Sequence, residues 1–251
     1  MDLKLQGKKA IITGSSNGIG FQIAKVLSNA GVNICINSRN SDSLSNALKD
    51  LPGSIGFAAD VRDPLQAEEL FSFSKKELGR IDILVCNVGN SQSVRPGEEN
   101  INEWLKMFEY NLFATTNMVE VCKAELIKNK GVIVCISSIC GNEVIPSAPI
   151  TYSTAKAALN FYVKSISRPL GEKGVRINAI APGNILFQTS VWEKKIEENP
   201  SSVYKMLKDN VPLNKFGSKD DIAFMTSFLC SPLSSFLTGS ILTVDGGQTR
   251  S

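Results

Sequence analysis

Lys9-Ala-Ile-Ile-Thr13-Gly14-Ser-Ser-Asn-Gly18-Ile-Gly20 is the stretch on which the fold turns. Its first five residues read as a strand, and glycines at 14, 18 and 20 make a turn. A helical pattern follows at once, because Ile19, Ile23, Val26 and Leu27 recur at three- and four-residue spacing. Strand, glycine turn and helix is the context a dinucleotide site needs. Glycines let the backbone turn sharply and let a pyrophosphate approach. The helix N-terminus then offers free N–H groups and the positive end of its dipole to that anion. The spacing differs from the common GxGxxG fingerprint, and a glycine-rich stretch can be only a turn. Its place between strand and helix favours the nucleotide.

Strand and helix alternate along the rest of the chain. Strand-like runs fall at 10–13, 33–37, 55–59, 83–86, 132–137, 176–181 and 241–244, and helical patterns at 64–78, 102–128, 152–170 and 219–229. Several strands are continuous apolar runs, as in a parallel sheet covered on both faces. The expected fold is α/β, a Rossmann-type doubly wound parallel sheet with helices on both faces. Ligands in such sheets bind beyond the carboxyl ends of the strands. Asn87, Ser138 and Pro182-Gly183 all follow strands, so the fold gathers them along one edge. Pro169 is expected to bend or weaken the last turn of its helix. No repeat or linker marks a second domain, so residues 1–251 are expected to form a single domain.

Tyr152-Ser-Thr-Ala-Lys156 sets a phenol and an ammonium four residues apart, on one face if the segment is helical. A lysine that close stabilises phenolate and is expected to lower the phenol pKa from about 10. A tyrosine so placed exchanges protons near neutral pH. Alone, the same pair also fits an ordinary amphipathic helix.

Together these elements resemble the short-chain dehydrogenase/reductase family over essentially the whole chain. Thr13-Gly14-Ser-Ser-Asn-Gly18-Ile-Gly20 matches its TGxxxGxG, and Asp60-Val61 its adenine-contacting pair. Asn87-Val88-Gly89 matches its Asn-Ala-Gly turn, with valine for alanine. Pro182-Gly183 and Val244-Asp245-Gly246-Gly247 match two further turns. The resemblance implies a catalytic set of Asn111, Ser138, Tyr152 and Lys156. It also implies cofactor contacts at Gly14, Ser16, Asn17, Gly18, Ile19, Ser38, Arg39, Asp60, Val61, Asn87, Gly89, Tyr152, Lys156, Pro182, Gly183 and Ile185.

By that resemblance a carbonyl substrate sits between Ser138 and Tyr152. Tyr152 donates a proton as hydride adds, and Ser138 holds the substrate oxygen. Lys156 tunes Tyr152 and bonds the nicotinamide ribose. Asn111 kinks its helix and holds a water in a relay to Lys156. The segment at about 184–213 is expected to be a substrate lid, with Pro200 and Pro212 as brackets. The family often has a threonine where this chain has Ile185-Leu186-Phe187, with Thr189 later, so the lid is expected to be apolar near the ring.

Cofactor choice is read from the end of the second strand. An NAD-preferring protein places a carboxylate there for the ribose hydroxyls. This chain has Ser38 and Arg39. Nothing there repels a 2′-phosphate, and a guanidinium can bond one with two donors. NADP(H) is therefore expected over NAD(H), although Ser15, Ser16 and Asn17 add no second positive charge.

Composition narrows the rest. The 251 residues include 43% hydrophobic and 20% charged ones, ordinary for a globular protein. A net charge of +3 is too small to argue for nucleic acid. No apolar stretch approaches the roughly 20 residues of a membrane span, and no signal-peptide core is visible. A cytoplasmic location is expected. The six cysteines form no CxxC pair and there is no histidine, which removes Ser-His-Asp chemistry and histidine-ligated metals. No metal site is expected. Apolar helix faces and the family resemblance point to a homotetramer.

The nearest substrate by resemblance is a 3-oxoacyl thioester, with sugar, steroid and small-ketone alcohols still open. A non-catalytic NADP-binding sensor is the rival from another class, and the intact catalytic set argues against it. An epimerase or dehydratase is disfavoured by the TGxxxGxG spacing and the short C-terminal part.

Overall fold

The apolar runs assemble into one parallel sheet. The computed structural model describes residues 2–250. Its strands are β1 (Lys9–Ile12), β2 (Asn33–Ser38), β3 (Ile55–Ala58), β4 (Ile83–Cys86), β5 (Val132–Ile136), β6 (Arg176–Pro182) and β7 (Ile241–Val244). They lie in the order β3-β2-β1-β4-β5-β6-β7, every neighbouring pair parallel. The order reverses between β1 and β4. A doubly wound sheet leaves a crevice beyond its strand ends at such a reversal. The strand expectations hold to within a residue at each end.

Alternation along each strand feeds two cores. Ala10, Ile12, Ile34, Ile36, Val132 and Val134 face one layer, with α1 (Gly18–Asn29) and α9 (Lys219–Cys230). Ile11, Cys35, Leu84, Ile133 and Ile177 face the other. There they meet α3 (Pro64–Leu78), α5 (Ala114–Asn129) and α6 (Ile150–Gly171). Burying one such side chain stabilises by about 1.5–3 kcal/mol. Truncating fully buried Ile133 to alanine would cost about 2–5 kcal/mol by leaving a hole. Five of the six cysteines are buried and all are free.

Local chemistry starts the helices. Asn40 caps α2 (Ser41–Lys49) by accepting from Ser43 N, and Asp63 caps α3 before Pro64. Ser218 and Asp221 form a reciprocal capping box at α9. Asn17 leads α1 with no side-chain cap, so its first-turn amides stay open to an anion.

One helix expectation is modified. The helix expected at 102–128 is α4 (Ile101–Phe108) and α5, joined by a π-turn at Glu109–Phe113. The cause is Asn111. Its buried side chain donates to the carbonyls of Met107 and Asn90, both at 2.9 Å. Pro169 lies inside α6, in its last turn, and the helix runs on to Gly171. The chain then forms α7 (Val191–Glu198) and α8 (Pro200–Asn210) before α9.

Candidate active site

Two close approaches set the frame. Gly20 lies where an added Cβ would come within 2.4 Å of Asn87 Nδ2 and 2.5 Å of Gly14 O. Asn87 fills that space, donating to Thr13 O at 3.1 Å and Gly14 O at 2.8 Å. The end of β4 is thereby tied to the glycine turn after β1. At Gly141 a Cβ would fall 2.7 Å from the Lys156 backbone. That gap lets the segment after β5 lie against α6, so Ser138 meets the Tyr152–Lys156 face.

The catalytic candidates converge. Ser138 lies two residues beyond β5, is buried, and accepts from Cys140 N at 3.2 Å. Tyr152 and Lys156 share one face of α6. Lys156 Nζ donates to Ile136 O at 2.9 Å and lies 6.0 Å from the Tyr152 ring centre. Gly89 brings Asn111 in: a Cβ there would sit 3.1 Å from Asn111 Oδ1 and 3.2 Å from Lys156 Nζ.

Electrostatics here correct one expectation. Lys156 does not lower the Tyr152 phenol in this structure. Burial pushes the phenol up, and a hydrogen bond with Ser138 only partly opposes it. Burial also pulls Lys156 down from 10.5 to about 8. The physical reason is that removing an ionisable group from water penalises its charged form, and burial is the largest cause at both residues. The phenol thus keeps its proton through neutral pH, the form a proton donor needs.

The water relay expected at Asn111 is narrowed as well. Both side-chain amide protons are given to main-chain carbonyls, and Oδ1 accepts from Asn90 N at 3.1 Å. Of the side-chain atoms, only the second lone pair of Oδ1 is left for a water.

The other end of the crevice is charged. Ser38 Oγ accepts from Ser16 Oγ at 3.1 Å, joining the end of β2 to the glycine turn. Arg39 Nη1 donates to Tyr110 OH at 2.7 Å and lies 3.9 Å from Asp60 Oδ2. Asp60 accepts from Arg62 Nε at 2.9 Å and Nη2 at 2.5 Å. That guanidinium holds the Asp60 carboxyl below its usual range.

One cleft of about 1390 Å³ joins the two ends, and every site residue named from the sequence lines it. Pro182, Gly183 and Ile185 form its wall at the end of β6. Two contributors were not singled out from the sequence: Tyr110, which immediately precedes Asn111, and Arg62, which immediately follows Asp60-Val61. Phe187, from the apolar stretch noted in the sequence, lies 3.2 Å from where a Cβ on Gly18 would be. Adjacency to other site residues is the signal that could have found Tyr110 and Arg62. Among the described residues no group of three or more Asp, Glu or Cys is placed to hold a metal.

A glycine cradle that Cβ atoms would fill, and open amides at α1, fit a dinucleotide. Comparison with known proteins agrees. A family model described as enoyl-(acyl carrier protein) reductase, of the short-chain alcohol dehydrogenase type, matches residues 14–249. The chain is 36% identical to the 3-oxoacyl-(acyl-carrier-protein) reductase of Chlamydia muridarum, covering 99% of this chain and 100% of that protein. A structure of 7 alpha-hydroxysteroid dehydrogenase with NADH and 7-oxo glycochenodeoxycholic acid superposes with a TM-score of 0.89 at 31% identity, covering 100% of this chain and 97% of the other. L-sorbose reductase from Gluconobacter frateurii, with NADPH and L-sorbose, superposes with a TM-score of 0.93 at 27% identity, covering 100% of both chains. The chain belongs to the short-chain dehydrogenase/reductase family. It is an NAD(P)-dependent oxidoreductase that interconverts a carbonyl and an alcohol.

Proposed function

We propose that this protein is an NADP(H)-dependent reductase or dehydrogenase of a ketone/secondary-alcohol pair, with a 3-oxoacyl thioester or similar ketone as substrate. The observation that carries the reading is the meeting of Asn111, Ser138, Tyr152 and Lys156 at one end of the cleft. When bound, the nicotinamide supplies or accepts hydride. Tyr152, protonated at neutral pH, gives its proton to the developing alkoxide. The Ser138 hydroxyl holds that oxygen and stabilises its charge. Lys156, fixed by Ile136 O, bonds the nicotinamide ribose, and Asn111 holds the end of the proton relay.

At the substrate end Val144, Ile145, Pro146, Val191, Trp192 and Met206 line the cleft. That apolar stretch suits an acyl chain, with a steroid or sugar alcohol as the second reading, since Gln92, Ser93 and Asn210 line the same cleft. Residues 184–213, with α7 and α8, are the lid of a single domain spanning 1–251. Phe187 stands in it against Gly18 of the glycine turn. Preference for NADP(H) rests on Ser38 and Arg39. Relatives solved with NADH and with NADPH bracket both choices, so the preference belongs to this chain's own residues.

A cytoplasmic homotetramer completes the proposal. No described helix is long and apolar enough to cross a membrane. Phe161 on α6, Leu105 on α4 and Phe236 before β7 are exposed and apolar, which supports pairing of subunits through these faces. The deciding experiment is NADPH oxidation against acyl thioesters, keto-sugars and cyclic ketones. Turnover of none of them, with NADPH still bound, would replace the enzyme with a sensor.

A further inference from the structure

Arg39 is the cation on which the NADP(H) reading rests, and it is poorly defended. Its side chain is 56% exposed, and the Asp60 carboxylate is 3.9 Å away as a competitor for the same guanidinium. Two residues outside the family pattern answer that weakness. The Arg62 guanidinium lies over the Tyr110 ring with Cζ 4.1 Å from its centre, a cation–π distance. The same guanidinium grips both oxygens of Asp60. Tyr110 reaches past it to Arg39, whose Nη1 donates to the phenol oxygen at 2.7 Å. Tyr110, Arg39, Ser38 and Asp60 line the cleft, and Arg62 stands behind them.

Resting on the NADP(H) reading, we propose that Tyr110 is a ligand of the cofactor's 2′-phosphate, and that Arg62 is the positioning residue that keeps Arg39 available to it. A phenol oxygen that accepts from Arg39 keeps its own proton to donate. A phosphate oxygen beside Arg39 is the acceptor placed to take it. Arg62 acts in two ways. It occupies the Asp60 carboxylate, which would otherwise draw Arg39 away from the phosphate. It also balances charge: Arg39 with Asp60 and Glu109 alone sums to 1 − 2 = −1, and Arg62, 3.8 Å from Glu109, brings the set to zero. A dianion is repelled by the first arrangement and not by the second. The second positive charge missing from the glycine turn is therefore supplied from the loop after β3.

The test needs no turnover. Calorimetry on the whole protein compares the affinities of adenosine 2′,5′-diphosphate and 5′-AMP. Their ratio isolates the 2′-phosphate and cancels general damage to the adenine site. The wild type is expected to favour the diphosphate at least tenfold. Tyr110→Phe keeps the ring for Arg62 but loses the hydroxyl, and should cut the ratio three- to tenfold. Arg62→Met should cut it about tenfold, and Arg62→Lys should recover part. An unchanged ratio in Tyr110→Phe overturns the ligand role, and an unchanged ratio in Arg62→Met overturns the positioning role. If both hold while Arg39→Ala collapses the ratio, the NADP(H) reading stands without this inference. A wild-type ratio near one overturns both.

Discussion

At the catalytic end of the cleft Asn111, Ser138 and Lys156 are 0%, 7% and 3% exposed, whereas at the adenine end Arg39 is more than half in solvent. The buried end is fixed by bonds to main-chain atoms: Ile136 O for Lys156, Met107 O and Asn90 O for Asn111, Cys140 N for Ser138. The open end is fixed by charges and a ring. Main-chain partners cannot be mutated away, so the catalytic geometry is robust to neighbouring substitutions. Partly exposed ion pairs are individually weak and screened by salt. The difference teaches that chemistry and cofactor choice are separable here, and that choice is the easier of the two to move.

The strongest attempt to break this separation is Tyr152→Phe. It removes the proton donor and keeps the ring. Turnover should fall at least about a hundredfold, the scale of acid–base catalysis, with nucleotide affinity kept. Near-normal turnover would show that the buried end is not where the proton moves.

Lys156→Met sharpens the claim that burial dominates there. In the folded protein Lys156 titrates near 8 rather than 10.5, so between those values the unfolded chain holds the extra proton. Stability then rises with pH across that window. Below about pH 8 both states are protonated and the full cost of a buried charge is present. Relative to Lys156→Met, the wild type without cofactor should gain about 3 kcal/mol from pH 8 to 10.5, at 1.36 kcal/mol per unit. Parallel denaturation profiles for the two proteins across that range would contradict the burial argument.

Ser38→Asp/Arg39→Ala acts on the other end alone. The ratio of kcat/KM with NADPH to that with NADH should drop by about tenfold or more, the value of one charge-assisted pair. A wild type that prefers NADH, or a ratio that does not move, defeats the reading of these two positions. The smallest effect expected is none: exhaustive chelation should leave activity unchanged at both ends. A loss that Zn²⁺ restores would reveal a site outside the residues considered.

Much of this was legible before any coordinates. The glycines at 14, 18 and 20 needed only their place between a strand and a helix. The apolar strands needed only their pattern, and β4 and β7 fall where that pattern puts them. Positions 111, 138, 152 and 156 could be named by the resemblance to the family's motifs, and the structure brings them to one end of one cleft. What stayed hidden depends on three dimensions. The phenol of Tyr152 rises because of burial, which spacing along a helix does not report. Arg39, Arg62 and Tyr110 are far apart in sequence, and only folding stacks them. The helix break at Asn111 was legible as a position but not as a widened turn, because its cause is a bond to Asn90 on another segment.

That widened turn makes the chain unequally tolerant of changes in length. The π-turn at Glu109–Phe113 holds one residue more than an α-helix would. On one side of it α4 packs against α6, and on the other α5 packs against α3. Each helix therefore keeps its own azimuth, and the extra residue is the offset between them. Deleting one of these five positions would close the turn to ordinary α-geometry and leave the apolar stripes of α4 and α5 nearly in place, because the wide turn already absorbs the extra residue. What would be lost is the widened turn itself, and with it the bond from Asn111 Nδ2 to Asn90 O. Loops on the far side of the sheet can gain or lose residues at small cost. Here the length of the helix, to a single residue, sets the reach of a side chain in the site.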